Sequence, residues 1–99
     1  MTLTELADAW QAALGDPERR VEPKPGHSPQ EIWLCWFRGR RYASVIADED
    51  GDTVLLFSDR ASDSPAQAAE VSLRNAEMVR EKLHRFLMGD AVDPHPVTE

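Results

Sequence analysis

Residues 31–58 read EIWLCWFRGRRYASVIADEDGDTVLLFS, three runs of β-branched and aromatic residues separated by two short polar turns. Residues 32–37, 42–48 and 53–57 each have the composition that suits a pleated, half-buried surface. Arg38-Gly39-Arg40 and Glu49-Asp50-Gly51-Asp52 are too short for a parallel crossover, so the pattern predicts an antiparallel meander with residues 42–48 in the middle. The first run is apolar at all its positions, with Ile32, Leu34 and Trp36 on one face and Trp33, Cys35 and Phe37 on the other. In a three-stranded meander it forms an edge, and both of its faces call for cover.

Outward from the strands, Leu3, Leu6, Ala7, Trp10, Ala13 and Leu14 recur at helical spacing and predict a helix over 3–14. Thr2 and Glu5 have the spacing of a capping box, and Gly15 and Pro17 stop the helix. Residues 16–30 hold Pro17, Pro23, Pro25 and Pro29 and predict an extended linker. Ser64-Pro65-Ala66-Gln67 reads as the start of a long helix, along which Ala69, Leu73, Ala76, Val79, Leu83 and Phe86 keep one face apolar until Gly89. The expected fold is α+β: helix, three-stranded antiparallel meander, long C-terminal helix (αβββα), with both helices on one sheet face. One domain over 1–88 contains the 16–30 linker, and a flexible acidic tail follows over 89–99.

The order helix, three strands, helix resembles that of double-stranded-RNA-binding domains. That resemblance implies basic residues at the start of the second helix, where Asp63-Ser64-Pro65-Ala66-Gln67-Ala68-Ala69-Glu70 has no positive charge. The order also resembles the first part of small acidic secretion chaperones, whose further strands and final helix have no counterpart here.

Charge separates function classes further. The 99 residues carry a net charge of −7. Residues 48–63 hold six carboxylates against Arg60, which disfavours nucleic acid there and favours a basic partner. The lone Cys35 allows no internal disulfide, and the N-terminus lacks a basic region followed by an apolar run. A cytoplasmic chain with no membrane span is therefore expected.

Candidate chemistry is sparse. Cys35 lies mid-strand in apolar surroundings that disfavour a thiolate, and nothing places His27 or His84 beside it. The three histidines lack metal-ligand spacing, so neither a metal nor a cofactor is expected. Asp48, Glu49, Asp50 and Asp52 have the alternating carboxylates of a calcium loop, but the sixth position is Thr53 where that loop needs glycine. Arg38, Arg40 and Arg41 on one tight turn are candidates for bracketing a phosphate.

These readings lead to a non-catalytic protein-binding module, an adaptor or inhibitor of possible mobile-element origin. Trp33, Trp36 and Phe37 are its expected apolar anchors. One aromatic face must belong to the core, and the sequence leaves open which. Asp48, Glu49, Asp50 and Asp52 form an acidic patch that steers a basic partner and could mimic nucleic acid. The alternatives are a nucleic-acid-binding module using the turn at residues 38–41, and a structural homodimer paired through the first strand.

Overall fold

The computed structural model describes residues 1–95. Helix α1 (Leu3–Leu14) forms where the spacing predicts it and buries Leu6, Ala7, Trp10 and Leu14. The Glu5 amide donates to Thr2 Oγ1 at 3.1 Å and the Thr2 amide donates to Glu5 Oε1 at 2.8 Å, so each residue satisfies an end group of the other. Gly15, at φ 98°, ends the helix.

The Thr2 amide, and then its hydroxyl, hold the Glu5 carboxyl below its ordinary value of 4.5. A lowered folded value means that the cap's contribution is fully present above that ordinary value and is lost as pH falls through the folded one. Glu5→Gln keeps an acceptor and removes the charge. Melting temperatures of the two chains should therefore differ near neutrality and converge as pH falls through the lowered folded value, whereas a constant gap would show that the carboxylate plays no pH-dependent part.

The sheet corrects the expected three-stranded meander. Its five strands run in the order β1 (Arg19–Val21), β2 (Glu31–Arg38), β3 (Arg41–Asp48), β4 (Thr53–Asp59) and β5 (Gln67–Glu70), with every neighbouring pair antiparallel. The class remains α+β. The middle three strands are those expected; the two short outer strands come from segments read as a linker and as a helix start.

Each miss has a local cause. Arg19-Arg20-Val21 lies between prolines and is too short and charged to show a strand pattern, yet it pairs with the outer edge of β2 and the Glu18 amide donates to the Cys35 carbonyl at 2.9 Å. Gln67-Ala68-Ala69-Glu70 favours helix by composition. The open edge of β4 supplies backbone partners instead, and the Val71 amide continues the pairing at 3.0 Å to the Thr53 carbonyl. Helix preferences of a few tenths of a kcal/mol per residue do not compete with a whole strand edge left unpaired. The long helix is accordingly cut to a 3-10 turn (Leu73–Asn75), opened by Ser72, and α2 (Ala76–Leu87).

Both helices lie on one face of the sheet. Ile32, Leu34 and Trp36 from β2, Ala43, Val45 and Ala47 from β3, and Leu55 and Phe57 from β4 meet Leu6, Ala7, Trp10 and Leu14 of α1 and Val79, Leu83 and Phe86 of α2. Trp10, fully buried, donates its indole N–H to Thr53 Oγ1 at 3.1 Å, and the Phe86 ring stacks on Phe57 at 4.3 Å. Residues 90–95 return along the domain: Arg41 Nη1 donates to the carbonyls of Phe86 and Asp90, Lys82 Nζ donates to those of Asp93 and His95, and Pro94 is buried. The rest of the expected 89–99 tail, residues 96–99, lies outside the described residues. No helix among the described residues is long and apolar enough to cross a membrane.

Candidate functional site

The face of the sheet turned away from the helices is built in rows, because antiparallel register sets one residue from each strand side by side. One row is Val21, Trp33, Ile46, Val54 and Glu70, spanning all five strands. The next is Arg19, Cys35, Ser44, Leu56 and Ala68. Phe37, Tyr42 and Ser58 make a third, and their pairing places Phe37 and Tyr42 ring to ring at 6.1 Å. Neither helix covers these rows. The first is bulky and apolar, the second flat, and the third aromatic.

The two ends of the face carry opposite charge. Beyond the bulky row, Glu31 pairs with Asp48 across β2 and β3, and Asp52 precedes β4. Glu31 Oε1 also accepts from the Trp33 indole at 3.3 Å, which ties that ring to its own strand. Asp48 Oδ1 accepts from the amides of Asp50 at 2.9 Å and Asp52 at 3.0 Å, and Gly51, at φ 89°, completes a hairpin turn folded around that carboxylate. At the opposite end the Arg60 guanidinium lies over the Tyr42 ring at 5.5 Å, and the Arg60 amide donates to the Arg40 carbonyl. Arg40 and Arg60 are both exposed.

The expected site residues distribute unevenly over this framework. Trp33 and Phe37 belong to the open face, whereas Trp36 points under the helices, is 7% exposed and donates its indole N–H to the Asp16 carbonyl at 3.2 Å. Asp48 serves its own turn, while Glu49, Asp50 and Asp52 are exposed. The three arginines do not converge. Gly39, at φ 59°, makes a tight two-residue hairpin loop, and Arg41 turns to the helix side, where its Nε donates to Asp59 Oδ2 at 3.2 Å and its guanidinium stacks on Phe86 at 4.6 Å. Arg38 and Arg40 remain exposed. Because β2 lies between β1 and β3, two first strands have no free edge through which to pair, which corrects that route to a homodimer.

Residues missed by sequence reasoning are Ile46, Val54, Leu56, Val21, Glu31, Glu70 and Arg60. A usable signal lay in the middle strand, where Tyr42, Ser44 and Ile46 alternate with Ala43, Val45 and Ala47. Polar or large residues at alternate positions mark the uncovered face, and small apolar ones the face that admits helices.

Other features offer less chemistry. Cys35 is buried and its sulfur accepts from Ser44 Oγ at 3.4 Å. A cleft of about 390 Å³ between β4, the following loop and residues 91–93 contains the paired Arg41 and Asp59, and among the described residues its lining holds neither histidine nor cysteine. Among the described residues no group of three or more histidines, cysteines or carboxylates could hold a metal ion. Comparison with family models, curated proteins and solved structures finds no match for this chain.

Proposed function

We propose that this chain is a small non-catalytic protein-binding module, an adaptor or inhibitor, whose contact surface is the open face of the sheet. One observation carries the reading: Val21, Trp33, Ile46 and Val54 stand side by side across four adjacent strands on a face that neither helix covers. An apolar surface of this extent, bordered by charge, suits a protein interface. Glu31, Asp48 and Asp52 along one border favour a partner carrying positive charge and disfavour a phosphate backbone.

A photocrosslinking residue at Leu56, compared with one at the exposed Glu77 of α2, tests this in cells producing the full chain. Covalent protein adducts should form from position 56 and be absent from position 77. No adduct from position 56, or equal yields from both, would end the proposal.

A further inference from the structure

We infer that the occupant of the open face is a second copy of this chain, packed face to face about a two-fold axis that lies in the interface and crosses the strands. The inference rests on the open face being the contact surface, and it names the partner.

The charge arrangement is self-complementary. A rotation about that axis reverses the strand direction, so the acidic end of one copy meets the basic end of the other at both sides of the interface. Asp48 then lies over Tyr42 of the second copy and Asp52 over its Ser58, next to its Arg60, while Glu31 lies over its Phe37, with Arg40 of that copy beyond them. An axis along the strands would instead set like charges together.

The shape supports the same operator. With the axis between the bulky and flat rows, each strand faces its own counterpart: Trp33 lies over Cys35 of the second copy, Ile46 over its Ser44, and Val54 against its Leu56. Cys35 and Ser44 have shorter side chains than the Trp33 and Ile46 beside them, so the flat row stands lower than the bulky one; at 7% and 1% exposed they are closed over by their own neighbours, on which the opposing ridge rests. Two twisted sheets stack in this aligned way about 10 Å apart, as in β-sandwiches.

Area is sufficient. Strands about 4.8 Å apart with about 3.3 Å per residue give a face of about 500 Å². A pair then buries about 1,000 Å², the lower bound for a specific interface. The sheet edges are poorer alternatives, since β1 and β5 are only 3 and 4 residues long and carry Arg19, Arg20 and Glu70.

Sedimentation of the full chain at physiological salt, where the Debye length of about 8 Å damps the repulsion between two acidic copies, tests the inference. Dimer should predominate at about 100 μM. Arg40→Glu with Arg60→Glu, and separately Asp50→Arg with Asp52→Arg, should each weaken association by about tenfold or more. Mixing the two altered chains should restore a dimer containing one of each. A wild-type chain that is monomeric at about 500 μM overturns the inference. So does a dimer indifferent to both reversals, or a mixture that fails to pair. If circular dichroism shows that either double variant has unfolded, Arg60→Ala and Asp52→Asn carry the same test and should each weaken the dimer. The Leu56 crosslink separates the two claims: adducts of twice the chain mass agree with self-pairing, and adducts only with another protein preserve the binding module while overturning the second copy.

Discussion

Trp10→Ala should destabilise the domain by about 3–5 kcal/mol or more. The side chain is fully buried between α1 and the sheet, and its indole N–H donates to the hydroxyl of Thr53, a residue itself 4% exposed. Truncating a buried tryptophan costs about 3–5 kcal/mol, and leaving the hydroxyl without its donor adds to that. A domain of this size has a total stability of about 5–15 kcal/mol, so the loss is a large share of it. Trp10→Phe retains most of the packing and loses the hydrogen bond, with an expected cost of about 1–2 kcal/mol. Urea unfolding followed by circular dichroism distinguishes the two. An alanine variant within about 1 kcal/mol of the wild type would mean that α1 does not seat on β4 through this residue.

Arg41→Ala should destabilise the domain by about 2–4 kcal/mol, whereas Arg38→Ala and Arg40→Ala should each stay within about 0.5 kcal/mol. The contrast follows from placement. Arg41 is bound to Asp59, to the Phe86 and Asp90 carbonyls and to the face of Phe86, so one side chain joins the β3–β4 hairpin to the end of α2 and the returning chain. Its removal takes the cation from the half-buried Asp59, which keeps only the Ala61 amide on Oδ1, takes one of the donors of the Phe86 carbonyl, which keeps the Gly89 amide, and takes the Arg41 donor from the Asp90 carbonyl. Arg41→Lys should recover only part of the loss, because an ammonium cannot bridge three acceptors while lying flat on a ring. Thermal melts of the four variants give the ranking. Equal effects at all three positions would restore a common solvated cluster of arginines and the phosphate reading that depends on it.

The three long strands, both hairpins and the cap of α1 were legible because each is encoded locally, by alternation, by glycine at a tight turn, or by the Thr2 and Glu5 pair. β1 and β5 were not, since their residues carry no strand signal of their own and take that form only against the edges of β2 and β4. The candidate site shows the same division. Trp33 and Phe37 stood out as excess hydrophobicity in one strand. Val21, Ile46, Val54 and Leu56 become one surface only when register brings them into rows, and Trp36 could not be separated from Trp33 until the helices were assigned to a face.

The bond between Trp10 and Thr53 spans 43 residues, while every strand pairs with its immediate successor. During synthesis α1 emerges before the strands, yet the surface that receives it, β2 to β4 with α2 alongside, is completed only after α2 has left the ribosome. Hairpin closure is fast and local, so the sheet can grow strand by strand as it appears. The amphipathic first helix meanwhile waits with its apolar stripe exposed, a stretch of 12 residues that is marginal as an isolated helix in water. Nascent chains stalled before residue 53 should therefore engage holding chaperones through this segment and release them once the β3–β4 hairpin and α2 are out.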